Sequence, residues 1–362
     1  MNDFRREPDA LVAEELAAVE AVLRSGWWVL GEQVRAFEQD WAAACGAPHA
    51  VGVGNGLDAL EIALRALEIG PGDEVVTTPM TAFATVLAIL RAGATPVLAD
   101  VDANSAILDP RSVRACLTPK TRAVIVVHLY GQAAPLEPFR ALCADAGLAL
   151  VEDCAQAHGA RSAGGPVGTV GAVAAWSFYP TKNLGAIGDA GALTTGSEAI
   201  AEKARRLRNY GQSERYRHPE AGMNSRLDEL QAALLRVRLR RLGEWIAARR
   251  VLARGYASSI RNPALRVLPL PADAAAHVHH LFVLTCERRD ALAAFLRERD
   301  VETFAHYPVP AHHQEPARGL RLAPGGVPRA EAHARTCLSI PCHPYLTREE
   351  AARVIEAVNA FR

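Results

Sequence analysis

Between residues 50 and 195, short apolar runs alternate with stretches whose hydrophobic residues recur every three or four positions. The runs predict strands over 50–53, 74–78, 95–99, 123–128, 149–152, 173–178 and 192–195. They are apolar on both faces and have helical patterns between them, which implies a largely parallel sheet covered on each side. Upstream, residues 9–44 carry a helical pattern broken at Ser25-Gly26-Trp27-Trp28-Val29-Leu30-Gly31, and residues 226–260 form a long Arg-rich helical stretch. Beyond it the pattern changes. Strands are expected at 264–268 and 280–285 and helices at 289–299 and 348–361, with many prolines between. The fold class this describes is α/β: a large domain over 1–250 and a smaller α+β domain over 251–362. A chain of 362 residues also exceeds the roughly 250–300 that one core usually serves.

Composition changes this picture little. Forty acidic residues balance 40 basic ones, which argues against a general polyanion binder, so no nucleic-acid partner is expected. The N-terminal stretch lacks a signal-peptide core, and no run of about 18 apolar residues occurs, so no membrane partner is expected. The seven cysteines are scattered, with no C-x-x-C pair. They read as buried free thiols of a reducing, cytoplasmic compartment.

One residue type carries more information. Only three of the 40 basic residues are lysines. Lys120 and Lys203 lie in polar, charged surroundings, whereas Lys182 is the one charged residue between Val173 and Ala186. A desolvated lysine can become a neutral amine and attack a carbonyl, and arginine cannot. In open α/β sheets ligands gather at the carboxyl ends of strands. The first strand ends in Gly52-Val-Gly-Asn-Gly-Leu57, where close backbone approach and exposed amides suit an anion; a plain strand-to-helix turn explains it equally well. The spacing is G-x-G-x-G, and no acidic strand end follows about 20 residues on, so a nicotinamide dinucleotide is not expected. Asp153, at the mouth of an apolar strand, reads alone as a helix cap. Taken with Lys182, it reads as the partner of a cationic ring nitrogen. Ser177, five residues before the lysine, adds a phosphate donor. Phosphate cradle, acid and lysine together are the equipment for pyridoxal 5'-phosphate.

These segments resemble the DegT/DnrJ/EryC1/StrS family of nucleotide-sugar aminotransferases, within the aspartate aminotransferase-like type I fold. The motifs are Asn55-Gly-Leu-Asp-Ala-Leu60, Val151-Glu-Asp-Cys-Ala-Gln-Ala-His-Gly159, Ser177-Phe-Tyr-Pro-Thr-Lys-Asn-Leu-Gly185, Gly188-Asp-Ala-Gly191 and Asn224-Ser-Arg-Leu-Asp-Glu-Leu-Gln-Ala-Ala233. His306-Tyr-Pro-Val-Pro310 and Leu338-Ser-Ile-Pro341 continue the resemblance. It implies that Lys182 holds the cofactor covalently and shuttles the proton, that Asp153 pairs with the pyridine nitrogen and that Gln156 contacts the phenolic oxygen. Ser177 and the amides of Gly56 and Leu57 would bind the phosphate. Asn224 would reach the phosphate of the other subunit, which implies a homodimer with shared active sites, and the Trp27-Trp28 segment resembles a stretch near the partner's site. Arg226, His306 and Tyr307 are candidate substrate residues, each with a plain structural reading beside it: a helix-surface arginine for the first, core positions for the other two.

Two positions depart from the pattern. Leu57 replaces a common Thr or Ser, and Ala82 falls where many members stack an aromatic ring on the cofactor. Its neighbour Phe83 would point away if the segment alternates as a strand. The implied reaction moves an amino group from an amino acid, with glutamate expected, to a keto group of a nucleotide-linked deoxy sugar. His128-Leu-Tyr-Gly131 and His306-Tyr-Pro308 look more like members acting on 3-keto than on 4-keto sugars. The sugar dehydratases of the family replace the lysine with histidine, so Lys182 argues against that class. A non-catalytic regulatory homologue is the remaining alternative. His277-Val-His-His280 and His312-His313 lack a cysteine or carboxylate at metal-ligand spacing, so no metal is expected.

Overall fold

The structure, a computed structural model, describes residues 3–362. Helix α1 (Asp9–Ser25) stops at Gly26, whose left-handed φ of 67° closes the last turn, and α2 (Glu32–Cys45) follows the expected break. Strands and helices then alternate. They are β1 (His49–Val53), α3 (Gly56–Ala66), β2 (Glu74–Thr77), α4 (Phe83–Arg91), β3 (Thr95–Leu98) and α5 (Pro110–Cys116). Next come β4 (Thr121–Val127), α6 (Leu136–Ala146), β5 (Ala149–Asp153) and a two-residue hairpin, β6 (Arg161–Ser162) with β7 (Gly165–Pro166). The large sheet's run of strands ends with β8 (Val173–Ser177) and β9 (Gly191–Thr195), and α7 (Glu198–Leu207) packs behind.

All seven expected strands join one eight-stranded sheet, ordered β1-β9-β8-β5-β4-β2-β3 and closed by a late strand, β12 (Arg321–Leu322). Only β9 runs against its neighbours. The parallel strands β4, β5 and β8 therefore end on one edge, with Val127 opposite Asp153 and Asp153 opposite Ala175. Gly191 lies opposite both Val53 and Ser177, which puts the start of α3 beside the end of β8. The core under this edge is aromatic. Trp41 meets Trp176 edge-on at 5.0 Å and Phe178 at 5.1 Å, and all three are buried. Truncating a side chain such as Trp176 would cost about 3–5 kcal/mol.

The Arg-rich stretch forms two helices, α8 (Glu229–Leu239) and α9 (Leu242–Ser259). Buried Arg238 ties α8 to the N-terminal segment through Glu15 at 2.6 Å and Glu7 at 2.7 Å. Residue 250 lies inside α9. The first half of this helix packs Leu242, Trp245 and Ile246 on the large core, and the second half packs Ala253 and Tyr256 on the small one. In the small domain, β10 (Arg266–Val267), β11 (Phe282–Thr285) and β13 (Cys337–Ile340) form an antiparallel sheet. Helices α10 (Arg289–Arg297), α11 (Pro328–Thr336) and α12 (Arg348–Ala360) accompany it. β12 leaves this domain to pair with β3, held by Arg321 to Glu74 at 2.6 Å. That return, α11 and β13 escape the sequence pattern: β12 is two residues long, and α11 runs into β13 at Thr336–Cys337 with no turn between them to mark a change of period.

All seven cysteines are free and buried. Among the described residues, no helix is long and apolar enough to cross a membrane.

Candidate active site

The turn that opens α3 forms an anion cradle. The Asn55 side chain caps the helix by accepting the Asp58 N–H at 2.9 Å. The Gly56 and Leu57 N–H groups, earlier in the same turn, have no helical acceptor. A Cβ at Gly56 would lie 2.6 Å from Ser177 Cβ, and one at Gly191 would lie 2.4 Å from the Asn55 carbonyl. Glycine at both positions is what lets the Ser177 hydroxyl and these amides share one spot. An oxyanion group at a helix start gains from both the N–H groups and the helix dipole. Leu57 offers only its backbone here.

Asp153 is the last residue of β5 and is 6% exposed. It caps no helix, since a turn follows it. Its Oδ1 accepts the Ala155 N–H at 3.1 Å, and its Oδ2 accepts the Thr85 hydroxyl at 2.8 Å. Lys182 follows Ser177 through a turn in which its N–H donates to the Tyr179 carbonyl at 2.9 Å. Burial lowers the Lys182 amine to about 8, although Asp153 pulls the other way. Lys203 instead pairs with Glu68 at 3.0 Å and Lys120 is exposed, which suits solvated positions.

The histidines around Lys182 stay neutral. His306 is held at about 4 by burial and by the nearby lysine. Burial followed by Lys182 likewise pushes His280 well below its usual value. His158 is held near 3 by burial between Trp176 and Phe178, with Lys182 adding to the effect. His280, His306, Tyr179, Thr181 and Phe304 line a cavity of about 320 Å³ beside the lysine turn.

A second network joins the domains. Gln156 Oε1 accepts the Tyr130 N–H at 2.6 Å, and Gln156 Nε2 donates to Tyr307 Oη at 3.0 Å. Tyr130 Oη donates to the His306 carbonyl. That hydroxyl has one proton, so the 2.9 Å contact with His333 is donated by the imidazole Nε2. His306 Nδ1 meets Ser339 Oγ at 2.8 Å. His306 and Tyr307 are thus small-domain residues fastened to the ends of the large-domain strands.

Not every candidate converges. Asn224 is exposed, and Arg226 lies before α8 rather than on a helix. Arg226 Nη1 donates to Asn209 Oδ1 at 3.3 Å, with the guanidinium over the Tyr210 ring. Ala82 is the N-cap of α4, so the strand alternation expected around Phe83 does not exist. Thr85, Ala88 and Ile89 bury one helical face, and Phe83 instead packs with Val86, Leu98 and Ala317. A carboxylate does meet the His312-His313 pair: Glu331 Oε1 lies 3.1 Å from His312 Nε2 and 3.8 Å from His313 Nε2. Chain order hid it. His277 Nδ1 accepts the His279 N–H at 2.9 Å, so local backbone uses that ring. Sequence reading assigned Thr81 and Thr85 no role, and Tyr130, His280 and Ser339 stood out only as members of quoted motifs. Only the i,i+4 spacing of the two threonines could have signalled their pairing.

The family model described as the DegT/DnrJ/EryC1/StrS aminotransferase family matches residues 9–359. The chain belongs to this family. It is 47% identical over 359 residues to the dTDP-3-amino-3,4,6-trideoxy-alpha-D-glucose transaminase of Streptomyces venezuelae, covering 99% of this chain and 95% of that one. It is 48% identical over 343 residues to the erythromycin biosynthesis sensory transduction protein EryC1 of Saccharopolyspora erythraea, covering 95% and 94%. The crystal structure of S. venezuelae DesV in complex with a ketimine intermediate superposes with a TM-score of 0.95 at 46% identity, over 99% of this chain and 96% of that one. As an aminotransferase of this family, the chain has the type I, aspartate aminotransferase-like fold that its motifs implied.

Proposed function

We propose that this aminotransferase uses pyridoxal 5'-phosphate to move an amino group from L-glutamate to the C-3 ketone of a nucleotide-linked deoxy sugar. One observation carries the reading: a half-buried lysine, lowered to about 8, feels the charge of Asp153, which ends β5 beside the strand that ends in Ser177. The residues fit the group, because Gly56 and Gly191 leave open the cradle that a Cβ would fill. In the assignment we favour, Lys182 Nζ bonds the cofactor, Asp153 takes its ring nitrogen and Gln156 its phenolic oxygen. Ser177 with the Gly56 and Leu57 amides takes the phosphate.

The bound cofactor supplies an electron sink for the charge that develops at the donor's Cα. The protein does the rest. A lysine at about 8 is roughly a tenth neutral at pH 7, so Nζ can accept the Cα proton and return it. Gln156 is oriented by the Tyr130 N–H so that its NH₂ remains the donor. His280 and His306 are neutral and line the adjoining cavity with Phe304, so they offer hydrogen bonds to sugar hydroxyls without charge. Preference for a 3-keto over a 4-keto sugar follows the similarity to the S. venezuelae enzyme.

We also propose a cytoplasmic homodimer with shared sites. Trp27, Trp28, Val29 and Ile187 are exposed together near the site, and Gln231 ties Ile187 to α8, which also meets Val29 through Asp228. Asn224, also exposed, is the residue assigned to the partner's phosphate. The name of EryC1 keeps a regulatory reading in view. Adding glutamate to the loaded protein separates the two: a transaminase loses its yellow band and regains it with a 3-keto nucleotide sugar, while a regulator keeps it throughout.

A further inference from the structure

The two oxygens of Asp153 are held differently. One takes a backbone N–H two residues on, which any turn supplies. The other takes the Thr85 hydroxyl at 2.8 Å, from a residue 68 positions away on another element. A threonine hydroxyl has one proton. With that proton committed to Asp153, the 2.8 Å contact between Thr81 Oγ1 and Thr85 Oγ1 is donated by Thr81. The donors therefore run Thr81 to Thr85 to Asp153, and all three residues are buried, Thr85 fully.

This order has a local cost. α4 begins at Phe83 with Ala82 as N-cap and no side-chain hydrogen bond to its free N–H groups. Threonine hydroxyls at a helix start ordinarily serve those groups, at about 1 kcal/mol per cap. Here the Thr85 hydroxyl goes to the carboxylate and the Thr81 hydroxyl to Thr85 instead.

We propose that Thr85, backed by Thr81, is a positioning residue for Asp153. It occupies one acceptor site on Oδ2 and stops the carboxylate turning about its soft terminal torsion, leaving a fixed charged face for the ring nitrogen of the cofactor. Hydrogen bonds in a chain polarise one another, so Thr81 strengthens the grip of Thr85 in this dry site. The charged face held toward the ring favours a protonated ring nitrogen. No bond is made or broken. This inference rests on the cofactor assignment above.

The test compares wild type, Thr85→Val, Thr85→Ser, Thr81→Val and the double valine variant. Two quantities are read: the dissociation constant for pyridoxal phosphate, and the pH midpoint of the bound cofactor's visible band. Thr85→Val should hold the cofactor about tenfold more weakly and move the midpoint to higher pH, since a less positive ring draws less charge from the imine. Thr85→Ser should restore both values. Thr81→Val should have a smaller effect, and none when added to Thr85→Val, because it acts through Thr85. A Thr85→Val protein with wild-type affinity and midpoint overturns the proposal, as do independent, additive effects of the two threonines. Near-ultraviolet circular dichroism separates misfolding from lost positioning, and if Thr85→Val misfolds, Thr81→Val alone decides by the same two readings. A wild-type protein that binds no cofactor would instead defeat the assignment on which this rests.

Discussion

The Gln156 side-chain carbonyl accepts the Tyr130 backbone N–H at 2.6 Å, so its NH₂ group must face Tyr307 Oη, 3.0 Å away. The backbone fixes an amide that could otherwise flip. Gln156→Glu keeps the shape and replaces the donor by an acceptor. We expect the affinity for pyridoxal phosphate to fall about tenfold, while the Tyr307 hydroxyl turns to donate to the new carboxylate. Fluorescence titration of the apoprotein checks this, and an unchanged constant contradicts it.

The low value of Lys182 has a consequence for the pH dependence of stability. The folded amine titrates at about 8 and the unfolded one near 10.5. Between these values the unfolded chain binds more protons, so apoprotein stability should rise with pH across that window, and the gain is lost as pH falls through about 8. Lys182→Met removes this slope and, near pH 7, should make the apoprotein more stable by on the order of 2 kcal/mol. Urea midpoints at pH 7, 8.5 and 10 measure it.

Loading with cofactor should depend on the same group. The rate should climb with pH toward a plateau above about 8 as the neutral amine forms. His306, held at about 4, and His280, lower than usual, should add no second inflection between pH 6 and 8. Stopped-flow absorbance reads the profile directly.

Glu152 predicts a pure stability effect next door to the site. It is fully buried and accepts N–H groups from Gly168 at 2.8 Å, Val170 at 2.9 Å and Gly171 at 2.7 Å, together with His128 Nε2 at 3.0 Å. Burial raises its carboxyl, but His128 and these amides outweigh that and hold it below the usual range. Glu152→Ala strands all four donors and should cost about 3–5 kcal/mol, read as a lower urea midpoint.

Exposed Trp28 and Ile187 predict self-association. Sedimentation should give a dimer, and Trp28→Glu should weaken it and lower cofactor retention together if Asn224 serves the other subunit. A dimer that dissociates with unchanged retention would contradict the shared site.

Long elements were legible in the sequence because periodicity and burial agree there. Seven of the eight strands of the large sheet, α1, α2 and α12 follow their apolar patterns to within a few residues. Lys182 stood out because arginine fills nearly every other basic position, and Asp153 because a charge at an apolar strand end demands a partner. What the sequence hid depends on contacts distant along the chain. Glu331 reaches His312 from 19 residues away, and Tyr130 reaches His306 across 176. The segment after Met80 misled for a local reason: its helix starts without a side-chain cap, and that missing cap is the signal that would have marked its start.

The account stands on the Lys182 Nζ forming the covalent link to pyridoxal phosphate. Borohydride reduction of the loaded protein, followed by peptide mapping, tests this most directly. We expect one reduced adduct, on the peptide carrying Lys182. An adduct on Lys120 or Lys203, or none at all in a protein that transfers amino groups, would contradict it.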